Sequence, residues 1–276
     1  MSRERLERRF AELQAEGRAG FVAYVMAGDP HIGTAFEILQ GLPAAGADVI
    51  ELGFPFSDPM ADGPSIQKAA QRALASGVTL ADTLGLARRF REGDPSTPLI
   101  MMGYLNPLET HGLKRFAADA ADAGIDGMIV VDAPPEESGE LDDALAGAGL
   151  SRIWLATPTT DDQRLETVLK GASGFVYYVS VTGVTGVKEA DAGAVAPHVA
   201  RIKAASSLPV AVGFGIKTPE RAAAVARVAD AVVVGSALVE EIAGALERNE
   251  SPVAKVLELA RSLAQAVRDA RVKAAV

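Results

Sequence analysis

The sequence predicts an α/β protein, one domain spanning residues 1–276, folded as a closed barrel of eight β/α units with an extra N-terminal helix. Three observations predict it. Eight short runs are almost continuously apolar, as strands covered on both faces must be. Each is followed by an alanine-rich stretch with helical spacing, and composition does not break anywhere along the chain. The length, 276 residues, suits one such (β/α)8, or TIM, barrel with some insertion. An open, doubly wound parallel sheet is the competing architecture.

The elements follow in order. The first residues, MSRERLERRFAELQAEGRAG, read as a charged amphipathic helix and lack the apolar core of a secretory signal. The strands are FVAYVMAG from Phe21, ADVIELG from Ala47, PLIMMGY from Pro98, DGMIVVDAP from Asp126, RIWLATP from Arg152, GFVYYVSVTG from Gly174, PVAVGFGI from Pro209 and DAVVVGSALV from Asp230. Helical patterns fill every gap, among them TAFEILQGLPAAG after the first strand and PERAAAVARVA after the seventh. Most strand-to-strand spacings are about 22 to 29 residues, room for one helix and two short loops. The second unit runs to about 50 residues and the sixth to about 35. Their surplus lies in GFPFSDPMADGPSIQ and SVTGVTGVKEADAG, directly after the strands. Both loops therefore belong at the C-terminal face of the barrel, where such enzymes keep their active sites. The second, rich in Gly, Thr and Val, is expected to be mobile without ligand.

Composition narrows the chemistry. The net charge of −9 argues against nucleic acid and anionic membranes as partners, while leaving room for a small phosphate held by a local patch of donors. The absence of cysteine removes disulfides, thiolate nucleophiles and cysteine metal sites. No apolar run is long enough to span a membrane, so a cytoplasmic location is expected. His31, His111 and His198 lie far apart, without metal-ligand spacing and away from the strand ends, which disfavours zinc and a Ser-His-Asp nucleophile. No metal is expected. Lys217, just after GFGI, offers an amine for a Schiff base, but a solvated residue at a helix start is the plainer reading.

Three features point to a site. In Val49-Ile50-Glu51-Leu52-Gly53, alternation puts Glu51 on one face with Val49, and a charge is best tolerated inward, near the open top of the barrel. Burial there raises a carboxyl pKa, as general acid/base work near neutrality needs, although an ion-paired structural acid would fit the same pattern. The loop FPFSDPMADGPSIQ carries Asp58 and Asp62 and is stiffened by Pro55, Pro59 and Pro64, with a helix expected from Ser65. Either aspartate could instead merely cap a turn. Glycines in Gly183-Val184-Thr185-Gly186, Gly213-Phe214-Gly215-Ile216 and Gly235-Ser236 follow the sixth, seventh and eighth strands. Backbone N–H groups there can converge on a phosphate, although tight turns alone would also call for them.

These residues resemble the tryptophan synthase alpha chain family. ADVIELGFPFSDPMADGPSIQ is similar to that family's signature, and FVAYVMAGDP, MMGYLNPLETHG, VDAPPEE, YYVSVTGVTG, VGFGI and VGSALV fall in its order and spacing over nearly the whole chain. The resemblance implies retro-aldol cleavage of indole-3-glycerol phosphate to indole and D-glyceraldehyde 3-phosphate in tryptophan biosynthesis. It implies Glu51 as acid/base and Asp62 as acceptor of the indole N–H. Gly186, Gly215, Gly235 and Ser236 match phosphate-holding positions, and Thr185 matches a residue that closes the site against Asp62. Tyr177 matches a tyrosine near Glu51, and Tyr24, Ile66, Met102, Ile129, Phe214 and Val233 match the apolar wall around the indole. Tyr24 and Met102 differ from the family's commonest choices. Ala133 stands where a larger apolar residue is common, and Ala23 where proline is.

The resemblance also implies a partner. An α2β2 heterotetramer is expected, in which indole passes to a beta chain that condenses it with L-serine. Pyridoxal phosphate belongs to that beta chain, and no cofactor is expected here. The docking surface would include Pro55, Asp58 and Pro59 together with Asn106 and Pro107. Two alternatives stand beside this reading: a sugar-phosphate isomerase or epimerase, which would share the glycines but not the Glu51–Asp62 signature, and a non-catalytic subunit that only activates a beta partner.

Overall fold

A computed structural model describes residues 2–180, 192–213 and 215–271. The strands are β1 (Gly20–Met26), β2 (Val49–Gly53), β3 (Leu99–Gly103), β4 (Gly127–Val130), β5 (151–156, as Ser151–Arg152 and Trp154–Ala156), β6 (Val176–Val179), β7 (Val210–Gly213) and β8 (Ala231–Val234). Every one coincides with a predicted apolar run. All pairings are parallel, in the order β5-β4-β3-β2-β1-β8-β7-β6. The first half of β5 pairs with β4 and the second half with β6. Between the halves, the Ile153 N–H donates to Met128 O at 3.0 Å. The ring thus closes through β5, and the open-sheet alternative falls.

Alternation along the strands divides the core in two. Val22, Val49, Ile100, Ile129, Ile153, Tyr177, Ala211 and Val233 pack inside the barrel. Their neighbours Ile50, Leu52, Met101, Val212 and Val232 face outward under the helices. Helix α1 (Ser2–Ala15) plugs the N-terminal mouth with Leu6, Phe10 and Leu13. Three buried or half-buried aspartates organise that end. Asp48, Asp126 and Asp230 each stand one residue before a strand and accept the N–H of Phe21, Leu99 or Val210, at 2.8, 2.7 and 2.9 Å. Arg9 and Arg18 pair with Asp48, Arg5 and Arg91 with Asp126, and Lys203 with Asp230. Burial pushes the Asp48 carboxyl up, but its bonds from Arg18, Arg9 and Phe21 outweigh that and hold it below the usual range.

The long second unit contains two helices rather than one helix and a long loop. Helix α4 (Leu80–Gly93), entered through a Thr79–Asp82 capping box, belongs to the outer ring with α2 (Ile32–Gly41) and α6 (Leu113–Asp122). Helix α3 (Pro64–Ala75) begins one residue before the predicted Ser65, because proline at the first helical position needs no N–H partner. It lies against β1 and α11 (Ser236–Glu247). Its small face of Ala69, Ala70 and Ala73 packs on Tyr24, Met26 and Val239, walling one side of the barrel's open end.

Two polar ties fix α3. Asp29, fully buried after β1, accepts from Arg72 Nε at 2.6 Å and from Arg72 Nη2 at 2.8 Å. Ser65 Oγ donates to Glu240 Oε1 on α11 at 2.5 Å. No helix among the described residues is long and apolar enough to cross a membrane.

Candidate active site

The C-terminal mouth of the barrel holds a cleft that opens to solvent. Glu51 and Asp62 face it together with Gly63, Tyr24, Ile66, Met102, Tyr177, Gly215, Ile216, Val233, Gly235 and Ser236.

Glu51 projects from β2 toward the barrel interior, as alternation requires, and is 2% exposed. Its Oε1 is buried without a hydrogen-bond partner among the described residues. No cation among them pairs with it, so the structural-acid alternative finds no support there. Burial, and secondarily the nearby charge of Asp62, push its carboxyl up to about 8. Asp62, just ahead of α3, is half-buried, and burial pushes it up to about 6 against the pull of a hydrogen bond from Tyr104. The two carboxyls thus share a pocket in different protonation states near neutrality.

Tyrosines frame the acids, and two glycines make room for them. Tyr24 and Tyr177 are buried, and their hydroxyls lie where a Cβ on Gly53 or Gly213 would stand, 2.2 Å from it in each case. Any side chain at those strand ends would displace a tyrosine. Burial and neighbouring acids raise both phenols well above their ordinary value, so they remain neutral donors. Tyr104, just after β3, accepts from the Ala61 N–H at 3.0 Å, and its ring packs tilted against Phe56 with centroids 5.2 Å apart. It is the residue most plainly overlooked from sequence. An aromatic hydroxyl at the catalytic end of a strand was the available signal, in MMGY.

At the opposite side of the cleft, Gly215 follows β7 with φ +74°, and Gly235 and Ser236 open the twelve-residue helix α11. The N–H groups of that helix end have no partner within the helix and suit an anion. Thr185, Gly186 and Phe214, with the loop expected to be mobile, lie outside the described residues. Ile129 is fully buried in the inner barrel core, in register with Met102, and does not itself line the cleft, and Ala133 packs in the outer core. Lys217 is off the cleft, ion-paired to Glu240 at 2.7 Å, so its amine is engaged rather than poised for a carbonyl. Among the described residues no three His, Asp or Glu side chains gather as a metal site.

The residues expected at a docking surface, in the loop after β2 and the helix Leu105–His111 after β3, are not uniformly exposed. Asp58 and Asn106 are exposed and Pro59 and Pro107 half-buried, whereas Pro55 is buried. Met60, in the same loop, is 73% exposed.

Comparison with known proteins decides the family. Residues 10–268 match the family model described as tryptophan synthase alpha chain. The chain belongs to that family. It is 68% identical over 271 residues to the tryptophan synthase alpha chain of Phenylobacterium zucineum (strain HLK1), covering 98% of each chain. The counterpart from Caulobacter sp. (strain K31) is 64% identical with full coverage of both. Among solved structures, tryptophan synthase subunit alpha from Legionella pneumophila str. Paris superposes with a TM-score of 0.89 at 41% identity, covering 95% of this chain and 98% of that one. An M. tuberculosis tryptophan synthase in an aminoacrylate-bound form superposes with a TM-score of 0.85 at 33% identity, covering 96% and 99%. The activity is cleavage of indole-3-glycerol phosphate in tryptophan biosynthesis, a lyase reaction. Alpha chains do this without pyridoxal phosphate, which resides in the beta subunit. The sugar-phosphate isomerase alternative is thereby set aside.

Proposed function

We propose that Glu51 and Asp62 divide the proton chemistry of this cleavage between them. The supporting observation is their separation in pKa, about 8 for Glu51 and about 6 for Asp62, in one cleft. Near pH 7 Glu51 holds a proton and Asp62 is ionised. Two carboxyls pushed apart in this way are suited to opposite roles.

The reaction then balances through one acid. Glu51 gives its proton to C3 of the indole ring, turning the ring into a cationic indolenine. The bond from C3 to the side chain breaks, and its electron pair restores the aromatic ring. The side-chain hydroxyl becomes the aldehyde carbonyl and returns its proton to Glu51. Asp62 accepts the indole N–H and stabilises the cation, an interaction worth several kcal/mol in a site shielded from water. Tyr24, Ile66, Met102 and Val233 form the wall around the ring, with Phe214 added by resemblance, and Tyr177 stands beside Glu51. The phosphate is received by backbone N–H groups at Gly215, Gly235 and Ser236, to which the resemblance adds Gly186, with Thr185 closing over Asp62.

The working assembly is an α2β2 heterotetramer in the cytoplasm. Asp58, Pro59, Asn106 and Pro107 lie on the docking face, joined by the exposed Met60, a large apolar side chain suited to burial against a partner. Pro55 supports the loop from beneath. This places the partner's contact a few residues from Asp62, a route by which docking tunes catalysis.

The test is indole release by the wild-type chain beside Glu51→Gln and Asp62→Asn. Each substitution should lower kcat by about 10²- to 10⁴-fold, the usual scale for a lost general acid or electrostatic stabiliser. Wild-type turnover in either variant would refute its proposed role.

A further inference from the structure

A carboxylate outside the cleft joins three segments that line it. Glu240 lies on α11 one helical turn after Ser236. Its Oε1 accepts from Ser65 Oγ at 2.5 Å and from Lys217 Nζ at 2.7 Å, and its Oε2 accepts from the same ammonium at 2.8 Å. Ser65 is three residues beyond Asp62, and Lys217 two beyond Gly215. One side chain therefore ties the Asp62–Gly63 segment, the Gly215–Ile216 segment and the helix that opens with Ser236. The far end of α3 is anchored to the same helix, where Arg72 Nη2, already paired with buried Asp29, donates to Val239 O at 3.4 Å. Helices α3 and α11 are thus linked at both ends of α3.

We propose that Glu240 is a positioning residue that couples the phosphate end of the cleft to Asp62. This rests on the reading of the site given above. A phosphate drawn to the N-terminus of α11 orders that helix, and the Ser65 bond carries the order to the turn bearing Asp62. The side chains of Lys217 and Glu240 are 52% and 40% exposed, so water screens their attraction and the pair contributes little by itself. The charge-assisted bond from Ser65 carries the coupling. The task of Lys217 is neutralisation, since Glu240 alone would set a negative charge on the helix face one turn from the phosphate.

Steady-state cleavage of indole-3-glycerol phosphate by the full chain, with the beta subunit present, tests this. Glu240→Ala should lower kcat about tenfold, the scale of a lost hydrogen bond to a charged group, with KM little changed. Glu240→Gln should fall between the wild type and Glu240→Ala, because its amide oxygen still accepts from Ser65 but without the charge that strengthens the bond. Ser65→Ala should match Glu240→Ala, and the double variant should be no worse than either. Lys217→Met should raise KM about two- to fivefold with kcat retained, and adding Glu240→Gln should reverse that rise.

Wild-type kcat in Ser65→Ala, or losses from Ser65→Ala and Glu240→Ala that multiply, would overturn the proposal. Should Glu240→Ala fail to fold, Ser65→Ala, which removes one hydroxyl, still decides the matter. Failure of the wild-type chain to release indole would instead overturn the reading of the site itself.

Discussion

Replacing Glu51 by Gln should stabilise the free chain while disabling it, and the stabilisation should depend on pH. Glu51 is buried, one carboxylate oxygen lacks a partner among the described residues, and its pKa rises from 4.5 to about 8. The folded protein therefore holds this proton more tightly than the unfolded chain does. Stability contributed by the protonated form is fully present below pH 4.5 and is lost as pH rises through about 8. Each tenfold gain in proton affinity on folding is worth about 1.4 kcal/mol, so the whole loss is on the order of 5 kcal/mol, roughly 3 of which has accrued by pH 7. Gln has a similar shape and no such titration. Urea unfolding of both proteins at intervals between pH 5 and pH 9 should show the variant gaining on the wild type up to about pH 8 and the difference levelling off above it. Two parallel stability profiles would show that Glu51 has an ordinary pKa and that its burial does not hold the proton.

Other perturbations have equally definite outcomes. Asp29→Ala should destabilise the fold by about 3–5 kcal/mol in denaturant titration, because it strands the Arg72 guanidinium in a largely buried setting. Gly213→Ala would set a methyl group 2.2 Å from the Tyr177 hydroxyl, so it should displace that ring and lower kcat/KM with the barrel intact by circular dichroism. Tyr104→Phe removes a hydrogen bond that lowers the Asp62 pKa, so the acidic limb of the pH–rate profile should move to higher pH.

The eight strands were legible because period-two patterning and two-sided burial leave a direct mark on composition. The same alternation placed Glu51 inward, and proline, glycine and acid spacing marked the Asp62 turn. What escaped depends on contacts between distant segments, which leave no period in the sequence. The spacing of the second unit suggests a long loop before one helix. That α3 is a separate helix across the barrel mouth follows from where Ala69, Ala70 and Ala73 meet Tyr24 and Val239. Tyr104 reaches the Asp62 turn from another strand, and Asp29 meets Arg72 across 43 positions. Asp48, Asp126 and Asp230 look like ordinary residues before strands, and only the barrel's closure brings basic side chains onto them. Pro55 shares its loop with Asp58 and Pro59, the residues proposed for docking, but its own backbone position buries it.

The pH dependence of kcat/KM for indole-3-glycerol phosphate tests the division of labour between the two carboxyls most directly. Activity should rise as Asp62 ionises near pH 6 and fall as Glu51 loses its proton near pH 8, with the limbs belonging to the coupled pair. Asp62→Asn should abolish the acidic limb and leave the basic one in its residual activity. A wild-type profile that keeps rising through pH 8 and beyond would mean that cleavage begins from ionised Glu51, contradicting the assignment of Glu51 as the acid that protonates the ring.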